Sequence, residues 1–257
     1  MNDVISSLAL VDSKQIFFHE SHEKVRLDRL IGSITNDGFL SHPPIAIKLK
    51  DEKYLLLDGA HRLMALTSMG YQRMVIQVVE EKDVALRAWK HLLPIREWWT
   101  SLLDHPDLIW EEKPLHDQWV ARILLENKQQ YYLYSARSTE NILDRLEVWH
   151  FIVGLYRHQF NGYRIPCDAM NQPQEGEVLI SYPQLSLDDL KQVVDGDQLI
   201  PAGVSRCIVE GRLLNLRIPL DILRHDTFST HDWELLRQKW SNSLRFYTEP
   251  VYICEGS

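Results

Sequence analysis

The sequence predicts an α+β fold, because helical and strand periodicities alternate over about the first ninety residues. Short apolar runs between charged or glycine-containing turns indicate strands, and apolar residues three or four positions apart indicate helices. In chain order, the pattern predicts a strand or strand–turn at 11–20, a helix at 23–36, strands at 45–49 and 54–57 joined by a turn at 50–53, a helix from Ala60, a strand at 71–79 and a helix at 83–93. This order is typical of a compact α+β unit.

The rest of the chain predicts a second α/β body. Ser186 begins a segment that resembles a capping box, which predicts a helix ending at Gly196. The other predicted elements are a helical connector at 94–114, helices at 115–126, 138–156 and 230–240, a loop at 162–176, and strands at 130–134, 206–209, 213–218 and 246–253. We therefore expect a first domain at 1–95, a connector at 96–114 and a C-terminal domain at 115–257.

Composition restricts the classes of function. With 257 residues, 45% hydrophobic and 25% charged, the chain has ample material for a core. Its net charge of −8 disfavours DNA or an anionic membrane as a partner of the whole chain, although a local basic patch stays open. No apolar run approaches the roughly 18 residues that span a bilayer. The three cysteines lack metal-ligand spacing, and the first twenty residues do not resemble a secretory signal, so we expect a cytoplasmic protein.

The junction between the strand at 54–57 and the following helix carries the strongest local motif. Asp58, Gly59, His61 and Arg62 occur there within five positions. Amides at the start of a helix attract anions, and arginine and histidine can hold the oxygens of a phosphate. Asp58 would repel a bare phosphate, so its presence favours a metal-mediated contact. On the local pattern alone, a plain turn capped by Asp58 stays equally open.

These residues resemble a known signature. The first ninety or so residues are similar to the ParB/sulfiredoxin-like superfamily, in which a strand–turn–helix with a Gly-x-His/Arg-Arg motif binds nucleotide phosphates. Sulfiredoxins carry a cysteine directly before the His-Arg pair, whereas this chain has Ala60. The DNA-partitioning ParB branch has a different box followed by a helix-turn-helix domain, and no basic recognition helix is evident after residue 95.

The chain most resembles a third branch, the free L-serine kinases, and within it the member associated with the staphyloferrin B siderophore cluster. The likeness extends over about two hundred residues and includes His42-Pro43, Asp58-Gly59-x-His61-Arg62, Trp89-x-His91, Trp98-Trp99, Pro201-Ala-Gly-Val204, Gly211-Arg212 and Tyr247-Thr-Glu249. It implies an enzyme that makes O-phospho-L-serine, in that setting for 2,3-diaminopropionate synthesis. The related kinase is also described as a haem-responsive regulator, which no pattern in this sequence tests.

The resemblance also implies roles for individual residues. Glu20 would be the base that accepts the serine hydroxyl proton, and Asp58 would organise Mg²⁺ on the nucleotide. The phosphate cradle would consist of Gly59, Ala60, His61 and Arg62, and the serine pocket would include Trp89, His91 and Arg206. Arginine suits the serine carboxylate because its guanidinium binds carboxylates through two donors. The alternatives are a surface carboxylate for Glu20, packing for Trp89 beside a surface His91, and a solvated strand position for Arg206.

Taken together, the sequence predicts a Mg²⁺-dependent free L-serine kinase that uses ATP, with ADP left open as the donor. We expect Glu20 and Asp58 to converge on the terminal phosphoryl group of the nucleotide. One rival is a nucleotide- or haem-responsive DNA-binding transcriptional regulator with the same fold. Another is a nucleotide hydrolase without an amino-acid acceptor. His19, His22, His42 and His116 lack metal-ligand spacing, so no zinc site is expected. The sequence gives no prediction of oligomeric state.

Overall fold

The computed structural model describes residues 4–21, 24–137, 141–157, 163–224 and 229–247. The chain folds into two compact units. The first comprises Met1–Phe18, His22–Val84 and Val209–Ser257, and the second comprises His19–Ser21 and Ala85–Ile208. This division differs from the contiguous layout of 1–95, 96–114 and 115–257 expected from the sequence, because the chain after residue 208 returns to the first unit.

Helices and strands alternate along most of the chain, which confirms the α+β class. The strands are β1 (Leu8–Asp12), β2 (Ile16–Phe18), β3 (Phe39–Leu40), β4 (Ile45–Lys48), β5 (Tyr54–Asp58), β6 (Arg73–Val79), β7 (Val84–Pro94), β8 (Leu108–Glu111), β9 (Ala121–Leu125), β10 (Gln130–Ser135), β11 (Tyr163–Pro166), β12 (Glu177–Ser181), β13 (Ser205–Val209) and β14 (Ile218–Pro219). The α-helices are α1 (Lys24–Asp37), α2 (Ala60–Ser68), α3 (Glu97–Leu103), α4 (Ile142–Arg157), α5 (Leu187–Asp195) and α6 (Thr230–Ser243). No helix in the described ranges is both long and apolar enough to span a membrane.

The first unit contains a five-stranded mixed sheet in the order β1-β6-β4-β5-β2. β5 pairs antiparallel with β4 and parallel with β2, so it lies inside the sheet. Its residues Tyr54, Leu55, Leu56 and Leu57 are all buried, as expected for an uninterrupted apolar strand. Asp58 ends this strand with a half-exposed side chain. The sheet thus delivers Asp58 to the turn that begins α2.

The returning segment completes the core of the first unit. Strand β14 pairs antiparallel with β3, with Ile218 opposite Leu40. The indole Nε1 of Trp240 on α6 donates to the Leu216 carbonyl at 2.8 Å. The core combines residues of the first 84 positions with late residues, of which the buried ones are Leu213, Leu216, Ile218, Ile222, Leu223 and Trp240. Burial of these side chains explains why the C-terminal segment belongs to the first unit.

The second unit contains a seven-stranded sheet with a main path of β11-β7-β12-β9-β10-β8, and β13 also pairs with β7. Helix α4 packs against both α3 and α5. Its buried residues Leu146, Trp149, Val153 and Tyr156 recur every three or four positions, as expected for one buried helix face. Trp149 Nε1 donates to the Val120 carbonyl at 2.8 Å, which satisfies its polar atom inside the core.

The predicted helix at 83–93 is wrong, because these residues form strand β7. Ala, Leu, Arg and Lys in this segment favour a helix intrinsically, but pairing with β11 and β12 on its two sides overrides that preference. The predicted helix at 115–126 is also wrong, since it contains strand β9 between β10 and β12. Trp89 and His91 therefore lie on a strand.

Smaller differences concern the connections. The predicted strand at 213–218 is irregular except at Ile218, because Asn215 and Arg217 adopt positive φ angles of 54° and 52°. The predicted connector and loop contain short strands, β8 and β11. The capping box at Ser186, the helix end at Gly196 and the strand at 130–134 are confirmed. Most of the predicted strand at 246–253 lies outside the described residues.

Candidate functional site

The β5–α2 turn in the first unit requires a glycine. Gly59 has a φ angle of 98°, in the left-handed region that favours glycine. A Cβ atom at this position would lie 2.9 Å from the Cβ of Pro44, closer than side chains tolerate. Gly59 is also the residue that caps α2, and it carries no side chain to bond the first helical amides. Without a side chain at position 59, an anion can approach the main-chain amides at the start of α2 closely.

Asp58 is bonded to two guanidinium groups. Its Oδ2 accepts from Arg62 Nη2 at 2.9 Å and also from Arg212 Nη2. Arg62 is fixed in turn, because its Nη1 donates to the carbonyl oxygens of His42 and Pro43, both at 3.0 Å. Asp58 does not cap α2 as the plain-turn alternative requires; instead its carboxylate links the start of α2 to the returning segment of the same unit.

The electrostatics of this cluster follow from these contacts. Burial acts to raise the pKa of Asp58, but the guanidiniums of Arg62 and Arg212, helped by the Gly59 N–H, outweigh it and lower that pKa. Two guanidiniums against one carboxylate leave an excess of positive charge at the start of a helix, which suits an anionic ligand. The side chains of Asp58 and Arg212 are 39% and 38% exposed, so a ligand in solvent can reach both.

At this site, most of the oxygens that coordinate a metal ion would come from the bound anion and from water. Within the described ranges, no group of three or more His, Cys, Asp or Glu side chains is placed to hold a metal. Asp58 is a single carboxylate, which fits Mg²⁺ carried by nucleotide phosphates and water rather than a site built by protein alone. A metal ion is one explanation for an acidic side chain beside a phosphate. Arg62 and Arg212 supply a second explanation, because they balance the charge of Asp58.

Glu20 lies in the second unit, where its carboxylate accepts from the main chain. Its short segment pairs with Ile200, whose N–H donates to the His19 carbonyl at 2.7 Å. The Gly203 N–H donates to Glu20 Oε1 at 3.0 Å. The Ser205 hydroxyl lies 3.5 Å from Oε2, which is long for a hydrogen bond. Glu20 is half-buried and oriented by these contacts, unlike a surface carboxylate at the start of α1.

His91 belongs to a buried hydrogen-bond chain behind Gly203. Its Nε2 lies 2.8 Å from the Gly203 carbonyl oxygen and must donate to it. Its Nδ1 then accepts from the Tyr156 hydroxyl at 2.6 Å, and Tyr156 bonds the Tyr182 hydroxyl at 2.7 Å. Burial lowers the pKa of His91 to about 4, so the ring is neutral near pH 7. Gly203 thus connects His91, through its carbonyl, to Glu20, through its amide.

Trp89 and Arg206 contact each other on neighbouring strands of the second unit. The guanidinium carbon of Arg206 lies 4.4 Å from the centroid of the Trp89 ring, a cation–π geometry. The main-chain N–H of Trp89 donates to the Val204 carbonyl at 3.3 Å, next to Gly203, whose amide binds Glu20. Both side chains are half-buried. The second unit therefore brings four of the predicted residues into one region: Glu20, Trp89, His91 and Arg206.

The remaining predicted residues lie in the first unit. His61 is half-buried on the first turn of α2, and Ala60 packs against the core, so Ala60 can contribute to a cradle only through its amide. The sequence predicts no role for Arg212, although Gly211-Arg212 is among the matched motifs. Gly203, within the matched Pro201-Ala-Gly-Val204 motif, is likewise given no role, and Ser205 and Tyr156 are missed. Their partners are distant in the chain, and no local pattern links them.

Comparison with known proteins gives a full-length relative. The chain is 30% identical over 258 residues to the ATP-dependent L-serine kinase SbnI of Staphylococcus aureus, covering 99% of this chain and 100% of that protein. It is also 29% identical over 83 residues to the ATP-dependent L-serine kinase of Staphylothermus marinus, covering 31% of this chain and 33% of that protein. No protein-family model matches the chain.

Solved structures agree in fold. A C-terminally truncated form of SbnI from Staphylococcus aureus has a TM-score of 0.84 at 27% identity, over 95% of this chain and 99% of that one. A free serine kinase variant in complex with ADP has a TM-score of 0.68 at 13% identity, over 84% and 94% of the two chains, which shows likeness of fold alone. The relatives are named as kinases, which favours a kinase over the DNA-binding regulator. This chain therefore belongs to the family of the ATP-dependent L-serine kinase SbnI.

Proposed function

We propose that this protein phosphorylates free L-serine with ATP, giving O-phospho-L-serine and ADP. The observation that carries the proposal is the full-length likeness to a kinase named for this reaction. The residue types of the two clusters support it, because phosphoryl transfer to a hydroxyl needs a phosphate cradle, neutralisation of charge and a proton acceptor. We also propose that the N-terminal part of the fold is of the ParB/sulfiredoxin-like type.

The first unit would bind the nucleotide phosphates. Gly59 would let the phosphates approach the backbone. The main-chain amides of Ala60 to Arg62, in the first turn of α2, and the side chains of His61 and Arg62 would donate to the phosphate oxygens. Asp58 would contribute one oxygen to Mg²⁺ on the nucleotide. When bound, the ion would neutralise charge on the phosphate oxygens as the phosphoryl group is transferred from ATP and ADP is left.

The second unit would bind and activate L-serine. Glu20 would accept the proton of the serine hydroxyl as its oxygen forms the new bond to phosphorus, and the bond to ADP breaks. Arg206 would bind the serine carboxylate from its position on the Trp89 ring. Both nitrogens of His91 bond protein groups, so we assign His91 to shaping the pocket.

The use of the product is also a proposal. The resemblance to the staphyloferrin B member suggests that phosphoserine feeds 2,3-diaminopropionate synthesis for a siderophore. ADP is an alternative donor, since the same cradle would bind its phosphates. Haem and DNA have no assigned role in the proposed reaction.

The proposal is tested by incubating the purified protein with ATP, Mg²⁺ and L-serine and detecting O-phosphoserine by mass spectrometry. A parallel reaction with ADP identifies the donor. We expect product that requires serine, protein and nucleotide together. Absence of phosphoserine with both donors would refute the kinase, and release of ADP from ATP at the same rate without serine would favour a hydrolase.

The same assay assigns the two carboxylates. Glu20→Ala and Asp58→Ala are each expected to reduce phosphoserine formation strongly. Glu175→Gln changes an exposed carboxylate of the second unit and serves as a matched control that should keep wild-type turnover. Unchanged turnover in either alanine variant rejects the role of that residue.

A further inference from the structure

The loop that carries Arg212 is bonded at two main-chain positions by one buried side chain of the first unit, Gln77. Gln77 lies on β6 and is only 2% exposed. Its Nε2 donates to the Gly211 carbonyl at 2.9 Å, and its Oε1 accepts from the Leu213 N–H at 2.9 Å. Both ends of one side-chain amide are therefore bonded to the main chain, one residue before Arg212 and one residue after it.

A side-chain amide at this buried position costs free energy unless its donor and acceptor are both hydrogen-bonded. The preceding β6 residues Met74, Val75 and Ile76 are fully buried and apolar. A polar group in such a place is tolerated when its donors and acceptors are paired, and an apolar side chain there would leave the main-chain groups of the loop unpaired. Gln77 thus fixes the backbone of a loop that has little regular structure of its own.

The residue presented by this loop completes the cation cluster at the start of α2. Arg212 contacts Asp58 Oδ2, the atom that also accepts from Arg62. Gln77 is tied to the same region by its own backbone, because its N–H donates to the carbonyl of Pro44, the residue that a Cβ at position 59 would strike. One strand residue therefore connects the Arg212 loop to the wall of the Gly59 turn.

We propose that Arg212 is a second phosphate-binding cation for the nucleotide and that Gln77 is the positioning residue that holds it there. This inference rests on the proposed kinase function. Arg212 is 38% exposed, so its guanidinium can exchange part of its contact with Asp58 for phosphate oxygens. Asp58 would orient the guanidinium of Arg212 before the nucleotide binds. The guanidinium would then donate to phosphate oxygens in place of part of its contact with Asp58 Oδ2.

The test uses the full-length protein and ADP binding measured by calorimetry without serine. Loss of one charge-assisted contact corresponds to about a 10- to 100-fold weaker Kd, which we expect for Arg212→Ala. Arg212→Lys should lie between the wild type and alanine, because it keeps the charge without the planar fork. The KM for ATP should rise in parallel, while the KM for serine changes less than about twofold. Arg217→Lys, in the same returning segment, is the matched control.

The role of Gln77 is tested through a double-mutant cycle. Gln77→Glu keeps the shape and the acceptor for Leu213 but places an oxygen against the Gly211 carbonyl, and should weaken ADP binding several-fold. If Gln77 acts through Arg212, adding Gln77→Glu to Arg212→Ala should cause no further loss. Gln77→Asn, which keeps an amide but is too short for both bonds, replaces Gln77→Glu in the cycle if that variant does not fold.

Two results would overturn the inference. If Arg212→Ala bound ADP with wild-type affinity, Arg212 would not be a phosphate-binding cation. If the losses in the cycle were additive, Gln77 would act independently of Arg212, as a general contributor to folding. These outcomes differ from failure of the kinase proposal. A wild-type protein that forms phosphoserine but binds ADP independently of Arg212 refutes only the inference, whereas Arg212-dependent ADP binding without phosphoserine refutes only the kinase.

Discussion

Asp58 and Glu20 are both half-buried carboxylates, but Asp58 accepts from side chains and Glu20 accepts from a main-chain amide. Asp58 accepts from the guanidiniums of Arg62 and Arg212, whereas Glu20 accepts from the Gly203 amide, with neutral His91 on the other side of that residue. The guanidiniums lower the pKa of Asp58, which suits a carboxylate that stays charged, whereas the Gly203 amide fixes the orientation of Glu20. An oriented carboxylate suits the proposed role of Glu20 as the proton acceptor.

The largest expected effect comes from removing the acceptor. Glu20→Gln keeps an oxygen for the Gly203 N–H but cannot take a proton, so kcat should fall about 10²- to 10⁴-fold. ADP affinity should change less than about twofold, because the cluster that we propose for the nucleotide belongs to the first unit. Quench-flow measurement of phosphoserine together with calorimetry checks both numbers. A variant with more than half of the wild-type kcat would contradict the role of Glu20.

The neutral chain behind Glu20 should make stability depend on pH. The pKa of His91 is about 4 in the folded protein and about 6.5 when the chain is unfolded. The unfolded state therefore binds more protons between these values, so stability is full above about pH 6.5 and falls by up to ~3 kcal/mol as the pH drops to 4. Tyr156 and Tyr182 stay neutral in this range, because burial raises the pKa of both.

This dependence is measured by urea unfolding at several pH values. His91→Gln cannot titrate and should flatten the change between pH 4 and 6.5. His150→Gln replaces an exposed histidine of the same unit and should show the same dependence of stability on pH as the wild type. Equal slopes for the wild type and His91→Gln would show that His91 does not carry the effect.

The charged cluster should be sensitive to backbone shape. Gly59→Ala combines a left-handed φ angle with a Cβ 2.9 Å from Pro44, so we expect a loss of ~2 kcal/mol in unfolding free energy and weaker ADP binding. Gly70→Ala has a similar φ angle of 86° with open space around the new atom, and should cost only ~1 kcal/mol. Equal losses in the two variants would argue against the close approach at Gly59.

The smallest expected effect concerns the cation–π pair. Trp89→Leu removes the ring beneath Arg206 and should raise the KM for serine about fivefold, with a similar KM for ATP. Phe39→Leu removes the ring beneath Arg217 in the first unit, where the guanidinium carbon lies 4.7 Å from the centroid, and should leave the KM for serine unchanged. Steady-state kinetics with each substrate varied will compare the two. An unchanged serine KM in Trp89→Leu would reject this pair as part of the pocket.

The sequence predicts features that depend on neighbours in the chain. The turn at Asp58–Gly59 and the capping box at Ser186 were predicted because short motifs encode them. Strand β7 was predicted as a helix, since its composition favours a helix and only pairing with β11 and β12 decides otherwise. The bonds from Glu20 to Gly203 and from Asp58 to Arg212 join residues more than 150 positions apart. No local pattern contains such pairs.

The interrupted first unit has a consequence for synthesis on the ribosome. About 120 residues separate Val84 from Val209, and at about 5–20 residues per second their translation takes roughly 6–25 s. During that interval the nascent N-terminal segment lacks Leu213, Ile218 and Trp240, so apolar surface that they cover in the finished protein stays uncovered. Arg212 emerges with them, so the cluster of Asp58, Arg62 and Arg212 is completed only near the end of translation.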